Sequence, residues 1–182
     1  MLAMDWRDVP GFYASLDEGT VTHLALRLLI LTATRSSEIR FCRLDEIEGD
    51  TWIVPGERMK AGKEHRIPLS LEAQAIVDQA KPFARDGFLF PSVRKGVISD
   101  ATMARLMERR GLKARRHGFR SSFRTWCAEA TDTPREVAET ALAHVVGGAV
   151  ERAYRRTDYL EQRRELMERW AQRVVEGLTE SE

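Results

Sequence analysis

"KARRHGFRSSFRTW", residues 113–126, sets four arginines and a lysine around one histidine, threads two phenylalanines and a tryptophan between them, and contains no acid. Read as a helix from residue 117 onward, it puts His117, Arg120 and Arg124 on one face and Phe119, Phe123 and Trp126 on another. The aromatic face is the kind a helix turns toward a core. The other face begins at a helix N-terminus, where unpaired backbone N–H groups already favour an anion. Arginine adds a planar, permanently charged fork that matches two phosphate oxygens. The simplest ligand for such a face is a phosphate.

The rest of the chain frames that helix. Its 182 residues suit one domain with a sizeable core, and a net charge of +1 does not by itself point to nucleic acid. The distribution does: between Arg94 and Arg124 ten Lys/Arg face two acids, whereas from Asp158 to the end seven acids face four bases. A basic middle in a neutral chain is a local electrostatic footprint. Two cysteines, Cys42 and Cys127, sit among apolar neighbours and read as small core residues rather than a disulfide framework or metal site. The longest apolar run, "LALRLLILTA", is broken by Arg27 and is too short to span a membrane. No signal peptide is visible, so a cytoplasmic protein is expected.

The coarse layout is mainly helical. Residues 20–34, "TVTHLALRLLILTAT", read as a buried helix, and "TWIVPGERMKAGKEHRIPLS" (51–70) as short antiparallel strands around turns. "SDATMARLMERRG" is a helix with Ser or Asp at its start and Gly111 at its end. "TPREVAETALAH" predicts a capping box, with Thr133 as N-cap, Pro134 at the first position and Glu136 three residues after the cap. From 160 to 178, Leu160, Met167, Trp170 and Val174 form one apolar stripe, free to dock on this protomer or on a neighbour. The expected class is α+β, mainly α-helical with a small antiparallel hairpin sheet inserted. The core is expected over about 15–160, followed by the amphipathic tail helix.

A second arginine sits in "LTATRSSEIR": Arg35 ends the apolar helix, and Glu38 is placed three residues on to orient its guanidinium. Arg35 with Glu38, Lys60 in the hairpin, His117-x-x-Arg120, and "LAH" at 142–144 followed ten residues later by Tyr154 resemble the active-site set of the tyrosine recombinases, the phage-integrase family. The wording of "LTATRSSEIR", "ERMKAGKEHRIPLS" and "ALAHVVGGAVERAYRR" is most similar to integrases of prophages and genomic islands. Each motif alone is weak, but the set runs in order over residues 20–170. Two small departures stand out: Ala33 and Ala143 occupy positions where the family often has Gly.

The resemblance implies the DNA breaking–rejoining fold and a site-specific recombinase that works through a 3′-phosphotyrosyl intermediate to integrate or excise a prophage or genomic island. It implies Tyr154 as nucleophile, Arg35 and Arg120 as clamps on the phosphate, and Lys60 as general acid to the departing 5′-oxygen. His117 would assist proton transfer, and His144 would donate a hydrogen bond to the phosphate. Positioned groups of this kind favour the transition state over the substrate, and deleting one costs on the order of a hundredfold. No metal or other cofactor is implied, since cations and donors do the Lewis-acid work. Double-stranded DNA carrying attachment sites is the implied partner, met by four protomers that are monomers when free, with an excisionase and DNA-bending proteins as accessories. Arg115, Arg116, Arg124, Lys63 and His65 are expected to touch the DNA backbone, with affinity falling steeply with salt. A bacterial, nucleoid-associated setting and amino-terminal DNA-binding domains outside this chain complete the expectation.

Lys63 and Tyr159 compete for the roles of Lys60 and Tyr154. The eight-residue step from Lys60 to Pro68 and the ten-residue step from His144 to Tyr154 decide for the latter pair, and His65 reads as a surface residue. Two other functions share parts of this chemistry. A type IB topoisomerase-like enzyme would relax DNA without exchanging partners, and a non-catalytic DNA-binding relative would keep the basic face for regulation.

Overall fold

A computed structural model describes residues 3–112, 118–154 and 156–177, with the backbone alone at Arg152 and Tyr154. Helix α2 (Val21–Thr32) is its axle: Thr20 caps the first turn by accepting from the His23 N–H, and from His23 to Thr32 every residue but Arg27 is buried. A helix apolar on almost all sides has to be enclosed by other elements. Around it lie α3 (Ser36–Arg40), α4 (Leu71–Ala80), α5 (Asp100–Arg109), α6 (Gly118–Ala130) and α9 (Leu160–Glu176). Helices α1 (Val9–Ala14), α7 (Arg135–Ala141) and α8 (Ala149–Tyr154) complete the set among the described residues.

The sheet insert is a three-stranded antiparallel meander, β1 (Ile47–Glu48), β2 (Thr51–Val54) and β3 (His65–Pro68), with Trp52 opposite Ile67 and Val54 opposite His65. Trp52 and Val54 point inward while Thr51 and Ile53 are half-buried, the alternation a one-sided sheet requires. The β2–β3 connection, which carries Lys60, folds back closely on itself. A Cβ on Gly56 would lie 2.7 Å from the Gly62 carbonyl oxygen, so only glycine fits there.

The aromatic face of α6 is core. Phe119 stacks on Phe12 at 5.6 Å, while Phe123 and Trp126 meet Trp170 of α9 at 5.6 and 5.1 Å. The Trp170 indole N–H donates to the Ile30 carbonyl at 2.8 Å, so the tail helix is docked on its own protomer. Its stripe is Leu166, Met167, Trp170, Ala171 and Val174, and Leu160 is only half-buried at its edge. The buried core runs from Trp6 to Val174, and α1 packs on α9. The capping box at 133–136 does not form: Thr133 is turned back to Thr131, Pro134 is extended, and α7 starts at Arg135. Cys42 and Cys127 are buried free thiols. Among the described residues no helix is long and apolar enough to cross a membrane.

Candidate active site

The chain leaves α2 through Ala33, whose backbone is left-handed (φ 51°), and this sharp exit places Arg35 at the start of α3. Glu38 then folds back over the helix start. One of its carboxylate oxygens accepts from the Arg35 backbone N–H at 2.9 Å and the other from the guanidinium at 3.0 Å. The carboxylate is buried while the Arg35 side chain is about a quarter exposed, so the acid braces the guanidinium from behind and leaves its other edge open.

Arg120 stands in the first turn of α6 and is buried. Its guanidinium spans the C-terminal ends of two helices, donating to the carbonyls of Ala33, the cap of α2, at 2.8 Å and of Leu142, the cap of α7. Helix C-termini leave carbonyls unsatisfied and carry partial negative charge, so a buried cation is well matched to both. Burial, and then the charge of Arg35, pull the Arg120 guanidinium down to about 10, which leaves it charged at neutral pH. The same guanidinium lies 3.1 Å from His144 Nε2.

His144 is held on its other side by Glu139, with Nδ1 2.7 Å from Oε2, and Arg124 grips the second carboxylate oxygen at 2.6 Å. Burial alone would raise the Glu139 carboxyl, but the His144 hydrogen bond and the Arg124 charge outweigh it and hold it below its ordinary value. Arg124 is therefore committed to an ion pair beside the site. Arg35, Lys60, Lys63, His65 and His144 line one cavity of about 250 Å³, with Lys60 and Lys63 exposed on the β2–β3 loop above it.

His65 is not on the surface. It is 9% exposed in β3, and burial followed by the charge of Arg163 depresses it to about 3. A neutral imidazole gives no cationic contact to a DNA backbone. Behind it, Arg66 makes a bidentate pair with Asp158 at 2.8 and 2.7 Å, and the fully buried Arg163 donates to the Arg66 carbonyl. This clamp joins the strand that follows the Lys60 loop to the chain just after α8, the helix that ends at Tyr154. His117, Arg115 and Arg116 lie outside the described residues, and of Tyr154 only the backbone is described. Tyr159 starts α9 in the left-handed region (φ 55°) and packs partly buried against the core.

Glu139 and Asp158 were not found from the sequence. The first had a legible signal, an acid five residues before a histidine at a helix end. The second had none, because its partner is 92 residues away.

The phage integrase family model matches residues 4–161. The chain belongs to the phage integrase family. It is 41% identical over 152 residues to prophage integrase IntA of Escherichia coli K12, covering 80% of this chain and 37% of that one. It is 34% identical over 175 residues to prophage integrase IntZ of the same organism, covering 92% and 43%. The chain thus spans about two-fifths of the length of these relatives. Among solved structures it is similar to the XerH site-specific recombinase bound to difH substrate, with a TM-score of 0.64 at 15% identity over 88% of this chain and 52% of that one. A lambda integrase dimer bound to a COC′ core site matches with a TM-score of 0.61 at 19% identity over 87% and 59%. Likeness at that identity establishes the fold.

Proposed function

We propose that this chain is the catalytic domain of an integrase-type, site-specific DNA recombinase that acts on prophage or genomic-island attachment sites. One observation carries the reading: the Arg120 guanidinium is buried between two helix ends, feels the charge of Arg35, and touches His144, which shares a cavity with Arg35 and the lysine-bearing loop. The partly exposed Arg35 and the exposed Lys60 and Lys63 around this cavity present positive charge that a phosphodiester would balance.

In the proposed reaction the Tyr154 oxygen attacks phosphorus, the P–O5′ bond breaks, and a 3′-phosphotyrosyl link forms while the 5′-oxygen leaves with a proton from Lys60. The freed 5′-hydroxyl, or one from a partner strand, attacks in reverse and conserves the bond energy. Arg35 and Arg120 meet the extra charge on the non-bridging oxygens, in positions already fixed by Glu38 and by the two helix caps. His117 assists proton transfer and His144 donates to the phosphate. Four protomers on two DNA sites in the bacterial cytoplasm, aided by an excisionase and DNA-bending proteins, belong to the same proposal. The relatives carry integrase names, which supports recombination over topoisomerase-like relaxation or binding alone.

The test is a nicked suicide substrate carrying the attachment site, resolved on a denaturing gel. A covalent band lost in Tyr154→Phe and kept in Tyr159→Phe supports the reading. A band lost only in Tyr159→Phe moves the nucleophile, and no band from the chain joined to its amino-terminal portion overturns the catalytic reading.

A further inference from the structure

We propose that Glu139 is a positioning residue for His144, fixing which imidazole nitrogen carries the proton and holding the ring so that Nε2 faces the phosphate. The functional half of this rests on the recombinase reading above; the tautomer does not.

The local fold brings the two side chains together. Helix α7 ends in a Schellman motif: the His144 N–H reaches the Glu139 carbonyl at 2.9 Å, the Ala143 N–H reaches that of Thr140 at 2.9 Å, and Ala143 takes the left-handed conformation (φ 51°). That motif sets the residue three positions inside the helix end beside the second residue beyond it. The contact between those two is ordinarily hydrophobic. Here it is a carboxylate against an imidazole, 2.7 Å apart.

The protonation pattern follows from the donor inventory. A guanidinium has donors and no acceptor, so Arg120, 3.1 Å from Nε2, requires Nε2 to accept. In the neutral ring the proton then sits on Nδ1 and is donated to Glu139. The carboxylate is clamped from the far side by Arg124 at 2.6 Å, so it can neither rotate away nor easily become protonated. A phosphate oxygen arriving at Arg120 displaces this contact and presents an acceptor where Nε2 had a donor. Nε2 can serve it only by taking a proton from solvent, and the resulting imidazolium is balanced by Glu139 on its other nitrogen. Glu139 therefore sets His144 as an acceptor for arginine in the empty site and as a donor in the filled one.

Long-range ¹H–¹⁵N spectra of the chain, recorded at a pH where the ring is neutral, read the tautomer directly. The Nδ1–H form is expected in the wild type and in Arg124→Met, and its loss in Glu139→Leu. Wild-type His144 protonated on Nε2 instead overturns the proposal. On the suicide substrate, Glu139→Leu should slow cleavage at saturating DNA by ten- to a hundredfold, on the order of what losing an outer partner costs a metal-bound histidine. Affinity for DNA should stay unchanged. Added to His144→Gln, the same substitution should do nothing further. An equal loss in both backgrounds means that Glu139 acts through something other than His144, and the proposal fails. If Glu139→Leu does not fold, Glu139→Gln keeps an acceptor for Nδ1–H but not the charge, and should preserve the tautomer while slowing cleavage. If the wild type forms no adduct, the recombinase reading falls while the spectrum still decides the tautomer.

Discussion

Lowering the pH from 8 to 5 should weaken this protein by about 2 kcal/mol through His65 alone. In the unfolded chain this histidine titrates near its ordinary 6.5, whereas in the folded protein burial holds it at about 3. Between those values the unfolded state binds a proton that the native state refuses. The contribution of the neutral ring is therefore complete above about pH 6.5 and is lost progressively as the pH falls toward 3. At pH 5 the unfolded histidine is almost wholly protonated. Integration of the difference gives RT ln(1 + 10^1.5), about 2 kcal/mol, a figure that barely depends on the folded value once that lies below about 4. The assay is urea denaturation of wild type and His65→Gln at both pH values. His65→Gln removes the titration, so its loss of stability on acidification should be smaller than that of wild type by about 2 kcal/mol. Comparing differences cancels the fixed cost of the substitution and the titration of every other group. A gap between the two proteins that is the same at pH 8 and pH 5 would refute the claim that His65 is held neutral. Because His65 lines the cavity that also holds Arg35 and His144, cleavage should decline over the same acid window.

Trp170→Ala should destabilise by about 3–5 kcal/mol in the same denaturation assay, because it empties the contact among Phe123, Trp126 and α9 and orphans the Ile30 carbonyl. At Ala143, where φ is +51°, Gly should be neutral or stabilising by up to about 1 kcal/mol. Val there should destabilise by at least about 1–2 kcal/mol and slow cleavage, since the Leu142 carbonyl under Arg120 and the His144 ring both depend on that turn. Cleavage of the suicide substrate should proceed equally in EDTA and in magnesium. A requirement for a divalent ion would show that Arg35, Arg120 and Lys60 do not carry the charge and proton by themselves.

Near-neighbour patterns in this chain were decided by its sequence. The 3.6-residue spacing of Phe119, Phe123 and Trp126 marked the buried side of α6, the apolar run over 20–34 marked α2, and the turn-punctuated pieces within 51–70 marked the hairpin. The Arg35–Glu38 pair was legible because both ends lie on one helical turn. Ala33 and Ala143 were noticed only as places where glycine is common. The structure supplies the reason, since both are left-handed turns, and the carbonyls of Ala33 itself and of Leu142 just before Ala143 hold Arg120. The tertiary structure alone decided the burial of His65, the side on which α9 docks, the capture of Arg124 by Glu139, and the Arg66–Asp158–Arg163 clamp. Periodicity reports which face of an element is apolar, because that depends on side chains a turn apart. Which charge meets which across 92 residues, and whether a histidine in a strand sees water or a helix end, depends on how the elements stack, and no local pattern encodes that distance.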